Sequence, residues 1–243
     1  MKEKYFDLLP ITLLSIALII CTIIIATTWR GNRRSDQTIT VTGSAKKEIV
    51  SDLGFLRGTI SARAVTAEAA YNGLISQKPI VVNYLKSKGF PEEKIEFYPV
   101  TNSPVFEIGI EGRPTNKIIA YVYNQRIEIS SNDVEKIKAV SLDISSVVKQ
   151  GVDFMVEMPE YHYTKLADLK IEIQAEAAKD AMNRAGKIAA STGRTLGPLR
   201  TARMGILQIT PKFSNMISDY GVNDVSSIDK EITAVVNASF EIE

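Results

Sequence analysis

Residues 231–242 read EITAVVNASFEI, and Ile232, Ala234, Val236, Ala238, Phe240 and Ile242 put an apolar side chain at every second position. That period belongs to a strand with one face turned to a core. Upstream, Leu166, Leu169, Ile173, Ala177, Ala181, Ala185 and Ile188 recur at three-four spacing. They predict a long amphipathic helix stopped by Gly193, with alanines small enough for close approach to a sheet. A strand of this kind beside such a helix sets the fold class as α+β.

Outward from this pair, Thr38 to Thr42 alternates as a strand ending at Gly43, and Leu53 to Ala64 is a second strand whose Gly54 and Gly58 mark a bulge or close packing. Thr66 caps a helix with Ala70, Leu74, Val81 and Leu85 on its inner face, and Pro79 predicts a bend near Gln77 and Lys78. Ile95–Val100 and Lys117–Ile129 read as an antiparallel pair joined by a loop with Pro104, Gly109, Gly112 and Pro114. Asn132 caps a linking helix that runs to Gly151; a strand over Val152–Met158 follows, then the long helix, then a strand through Ile209. The order is two strand-helix-strand-strand units joined by a linking helix, a weak internal duplication. It predicts a mostly antiparallel sheet with helices packed on one side, in a single domain over 38–243.

The chain has 243 residues, 45% hydrophobic and 23% charged, which fits a packed body rather than a disordered chain. From Ser35 onward 24 basic residues face 26 acidic ones, so the body lacks the cationic footprint that nucleic acid demands. One Cys and one His exclude Cys-rich zinc sites, disulfides within the chain and cages of two imidazoles; no metal or cofactor is expected.

The N-terminal segment decides the compartment. After a flank over 1–7, Leu8 to Thr28 carries no charge, and twelve of its residues are Leu or Ile. A helix of that length reaches about 30 Å, enough to span a bilayer. Tyr5, Phe6 and Trp29 sit where aromatic rings favour the headgroup layer. The run is longer than the ~7 to 15 apolar residues of a cleaved signal peptide and lacks a small-x-small end. It reads as an uncleaved anchor over 8–29 in the lipid bilayer, followed by a tether over 30–37. Cys21, preceded by Ile20, reads as apolar filler rather than a lipidated or reactive thiol. Lys2 and Lys4 before the span and Arg30, Arg33 and Arg34 after it leave the orientation undecided.

Catalysis through an imidazole would have to use His162, between Tyr161 and Tyr163, and no Gly-x-Ser-x-Gly elbow accompanies it. Asp168, Glu172, Glu176 and Asp180 form an acidic row on the long helix, read as a solvated face neutralised by Lys165, Lys179 and Arg184. No phosphate-binding glycine motif occurs. The loops Asn102–Asn116 and Pro211–Lys230 hold more apolar side chains than solvated loops require: Val105, Phe106, Ile108 and Ile110 in one, Phe213, Met216, Ile217 and Tyr220 in the other. These eight are the candidate contacts with another subunit or a partner.

The body resembles the SIMPL-domain family of bacterial envelope proteins, named after a signalling adaptor that associates with a pelle-like kinase. The resemblance rests on Ile39-Thr40-Val41-Thr42-Gly43, Asp52, Ala120-Tyr121-Val122-Tyr123-Asn124, Gly151-Val152-Asp153-Phe154, and AMNRAGKIAASTGRTL from Ala181 to Leu196 leading into Gly197. It covers nearly all of Ile39 to Ile242. It implies a periplasmic or extracytoplasmic α+β body behind a signal or anchor, self-assembly into ring-like oligomers in some members, and no catalytic set. Pro79 departs from the uninterrupted helix the resemblance implies. The expectation is a membrane-anchored, non-enzymatic homo-oligomer, with a role in envelope stress tolerance as suggested for relatives. A binding or signalling adaptor is the alternative, and a hydrolase using His162 the third reading.

Overall fold

In a computed structural model, the described residues are 8–34 and 37–243, with side chains of the first helix described for residues 13–26. The flank over 1–7, and with it Tyr5 and Phe6, lies outside them, as does the Trp29 side chain. The first helix, α1 (Leu8–Arg34), runs past the expected boundary at residue 29 and through most of the expected tether. Its described apolar side chains are exposed, Cys21 included. Among the described residues no helix is long and apolar enough to cross a membrane. What stands is an apolar helix exposed along 13–26, in place of the span expected over 8–29.

The rest of the chain is α+β, but it holds two sheets where one was expected. One contains β1 (Thr38–Val50), β10 (Asp229–Ile242) and β8 (Leu196–Met204) in that order, with β9 (Gln208–Pro211) also on β10. The other runs β3 (Ile95–Phe97), β5 (Pro114–Ser131), β2 (Leu53–Ala64), β6 (Asp153–Val156), with β4 (Thr101–Ile108) on β5 and β7 (Glu160–His162) on β2. All ladders of described register are antiparallel. The helices are α2 (Ala67–Ser87), α3 (Val134–Asp143), continued as a 3-10 helix over Ile144–Gln150, and α4 (Leu166–Ser191).

Within the chain two compact units are distinguished. The larger holds Lys47–Leu169 and Gln208–Ile232, the smaller Met1–Lys46, Lys170–Leu207 and Thr233–Glu243. The repeated strand-helix-strand-strand order is therefore not a repeated architecture: β6 belongs to the sheet of β2, whereas β8 and β10 belong to the other.

The core of the larger unit forms where β2 (Leu56, Ile60) and β5 (Ile127, Ile129) meet α2 (Leu74, Leu85) and α3 (Ile137). The pairing of β2 with β5 is unbroken from Gly54 with Ser131 to Ala64 with Tyr121, so the strand glycines mark close packing and no bulge. A Cβ at Gly58 would fall on the Phe154 ring, and one at Gly54 would press on Ile137. The opposite face of this sheet carries Arg57, Glu128, Glu160 and Arg126, ion-paired among themselves and with Glu157.

Several local expectations change. Helix α2 runs uninterrupted from Ala67 to Ser87 with Pro79 inside it. Pro79 lies on the exposed side of the helix, where water can take up the carbonyl that its ring deprives of a partner. The cap of α3 is Asp133, which accepts from the Lys136 N–H, while Asn132 donates to the Asp52 carbonyl. The strand expected through Ile209 is broken into β8 and β9 at residues 205–207.

The largest change concerns Asn102–Asn116, a β-hairpin rather than a loop. Thr101 to Ile108 pairs with Pro114 to Asn124, and the turn closes with Gly109 N–H donating to the Arg113 carbonyl, Gly112 having φ 73°. Pro104 is tolerated because β4 is an edge strand and Pro114 because it opens β5.

Candidate functional site

Three features of the larger unit carry exposed apolar side chains close together: a pinned loop, a cleft and a strand ribbon. The loop over 212–228 is fixed at its base by polar groups. Gln208 donates to the Ser218 carbonyl at 2.7 Å and accepts from the Val222 N–H at 2.8 Å, and Ile209 N–H donates to the Val222 carbonyl at 2.7 Å. Asp224 accepts from the Ser226 N–H and hydroxyl and from the Ser227 N–H.

Lys230 locks the base. It is 2% exposed, and its Nζ donates to the carbonyls of Tyr161 at 2.5 Å and Asp224 at 2.6 Å, tying β10 to β7 and to the loop. Burial pushes the Lys230 ammonium below its ordinary pKa, and the Asp224 charge opposes that only in part. Burial alone would push the Asp224 carboxyl up, but the hydrogen bonds from Ser226 and Ser227, with the Lys230 charge, bring it below its ordinary value. Its support of the loop is therefore full above the unfolded aspartate value of about 3.9 and is lost as pH falls through the lower folded value. Lys230→Met is expected to leave both carbonyls without this donor and to speed amide exchange over 212–228 at least about 30-fold, for a loss of ~2 kcal/mol. Exchange in β2 and β5 serves as the unchanged reference. Lys230 was readable as buried, since it lies two positions before Ile232 on the same inward register.

Beyond this base the loop presents Phe213, Met216, Ile217 and Tyr220, all exposed. Phe213 has φ 66°, a left-handed conformation that a bulky residue adopts only under constraint. Its neighbour Lys212 is held by Glu48 at 2.7 Å.

Between the start of this loop, α3 and the connection from β6 to β7 lies a cleft of about 610 Å³. Its volume is that of a ligand or side-chain pocket. Leu142, Met158 and Phe213 line it while 80%, 83% and 87% exposed, and Glu135, Lys138, Lys212 and Asp229 supply charges of both signs. Nothing in the local pattern announces this cleft, because its walls come from three segments separated in the chain, 135–142, 158–161 and 211–229.

The third feature is the β4–β5 hairpin. Partners of β2 on β5 end at Tyr121, so residues 114–120 have only β4 beside them in the sheet and form a two-stranded ribbon. Phe106 lies opposite Ile118 and Ile108 opposite Pro114, all on exposed positions, and Ile110 at the turn is wholly exposed. Val105 is half-buried, opposite buried Ala120. Glu107 and Lys117 pair across the ribbon at 2.8 Å. Of the eight candidate contact residues, seven are thus exposed, four on the pinned loop and three on the ribbon.

His162 stands apart from this surface. Its Nε2 lies 3.3 Å from Glu160, and Phe55 meets its ring edge-on at 5.5 Å. Glu160 also takes the Arg57 guanidinium at 2.7 Å, which holds its carboxyl below the ordinary range against the effect of burial. Among the described residues the imidazole's hydrogen-bond partner is this carboxylate and no hydroxyl. In the acidic row, Asp180 accepts from the Ser44 N–H at 2.9 Å and from Arg184 at 2.7 Å. Among the described residues no group of three or more His, Cys, Asp or Glu could share a metal ion.

No curated protein matches the chain. The family model for SIMPL, described as a protein of unknown function (DUF541), matches residues 39–240. The match takes in the strand that carries Gly43, the hairpin, the cleft and the pinned loop. The chain belongs to the SIMPL family.

Proposed function

We propose that this protein is a membrane-tethered, non-enzymatic extracytoplasmic module that assembles with copies of itself through the larger unit, in support of envelope stress tolerance. The observation that carries the reading is the pairing of a polar, rigidly pinned loop base with an apolar tip, since Phe213, Met216, Ile217 and Tyr220 are exposed on a segment held by Gln208, Asp224 and Lys230. A loop ordered at that cost in entropy, with a greasy tip, suits a contact made with another surface.

The tether is supported by the run of exposed apolar side chains along α1, which favours a non-aqueous surrounding. Retention tests it. The full chain is expected to stay in the membrane fraction through an alkaline wash, and a chain lacking residues 8–29 to leave it. Release of the intact chain by the wash would remove the tether from the account. Assembly is tested by mass, as argued below.

A further inference from the structure

We infer that the free edge of β8 takes up an extended segment of another polypeptide, one that alternates apolar and acidic side chains. The edge belongs to the smaller unit, and self-assembly through the larger unit is not required for it.

Backbone direction fixes which groups face outward. The Val235 carbonyl accepts from the Gly205 N–H at 2.8 Å, so Val235 turns its polar backbone to β8. Alternation turns Asn237 and Ser239 the same way, and their register partners Arg203 and Thr201 bond inward. Ala202 and Met204 therefore aim N–H and C=O away from β10, and among the described residues no strand pairs with β8 on that side. From Leu199 to Met204 no proline interrupts the run. An open row of donors and acceptors is complementary to the backbone of another strand.

The side chains set the chemistry of that strand. Val236, Ala238 and Phe240 are buried on the inner face of β10. Their register partners Met204, Ala202 and Leu199 lie on the same face but are exposed, Leu199 and Met204 at 53% and 52%. The apolar face of this sheet thus continues one strand beyond its cover. On the other face, Arg200 is ion-paired with Glu241, whereas Arg203 makes no ion pair among the described residues, and 196–207 contains no acid. A strand added at this edge meets apolar groups on one face and an unpaired cation on the other. Its side chains must alternate accordingly, apolar toward Ala202 and Met204 and a carboxylate toward Arg203. The β8 of a second copy does not fit this description, because edge-to-edge pairing would gather Arg200 and Arg203 of both copies on adjoining strands, where like charges repel.

The test uses the full chain in mild detergent as the target for a displayed library of random nine-residue peptides, the length of β8. Enriched peptides are expected to alternate apolar residues with polar ones that include Asp or Glu. They should bind the Ala202→Pro and Arg203→Glu chains at least about ten-fold more weakly than the unmodified chain. Proline at 202 removes only an outward N–H, which an edge strand tolerates, and circular dichroism checks the fold of both variants. Should Ala202→Pro lose its fold, Arg203→Glu alone decides. An absence of enrichment, enriched peptides without the alternation, or equal binding by the folded variants and the unmodified chain would overturn the inference. A lower protein mass for folded Ala202→Pro than for the unmodified chain would give the edge to a second copy and overturn it as well. None of these outcomes bears on the contact residues of the larger unit, which are tested separately.

Discussion

Gly43→Val is expected to lower stability by ~3 kcal/mol or more and the midpoint of thermal unfolding by roughly 6–12 °C. Gly43 lies on β1 where that strand meets α4, in the smaller unit. A Cβ there would overlap the carbonyl oxygen of Ala177 and the backbone nitrogen of Ala181. These are backbone atoms of a helix, and no side-chain rotation can move them aside. Ala177, Ala181 and Ala185 are fully buried along the same face, so the helix has already given up its side chains to let the strand approach. The Ser44 N–H donates to Asp180 at 2.9 Å and fixes the register of the approach. That bond, with Arg184 beside it and burial acting against it, holds the Asp180 carboxyl below its ordinary range.

The control has the opposite sign. A Cβ at Gly186, in the interior of α4, meets only Leu196 at 3.8 Å. Gly186→Ala should therefore stabilise the protein by ~0.5–1 kcal/mol, the helix preference of Ala over Gly. Circular dichroism of the solubilised chain reads both variants. Equal midpoints for Gly43→Val and the unmodified chain would contradict the close approach of β1 to α4.

This contact explains one part of the sequence signature that the eye finds first. The alanine stripe of α4 announced a close approach, and the strand glycine was visible at position 43, but which strand would meet which helix depends on pairings remote in sequence. The alternation of β10 was readable for the same reason that it is strong, since one of its faces is buried along most of its length. In β4 the signal failed. Pro104, Gly109, Gly112 and Pro114 are turn formers by local chemistry, and only the edge position of β4 makes the first proline harmless.

The exposure of seven of the eight candidate residues was legible because an apolar side chain in a polar segment stands out without knowledge of the fold. Their setting was not. The ribbon appears only when β2 is seen to end before β5 does, and the cleft only when α3, the connection before β7 and the loop after β9 converge. The division of strands between two sheets also escaped periodicity, which records which side of a strand is buried but not the identity of its neighbour.

The second large effect concerns assembly. Ile108 and Ile110 are exposed in the chain, so Asp at either position costs the isolated fold little. In a contact that covers them, an unpaired carboxylate costs ~3 kcal/mol or more and weakens association at least about 100-fold. The direct measurement is the protein mass by light scattering of the full chain in mild detergent at micromolar concentration, for the unmodified protein and for Ile108→Asp with Ile110→Asp. The account predicts a multiple of 26.8 kDa for the first and 26.8 kDa for the second, with unchanged circular dichroism. A mass of 26.8 kDa for the unmodified chain, or the same multiple for both proteins, would contradict it.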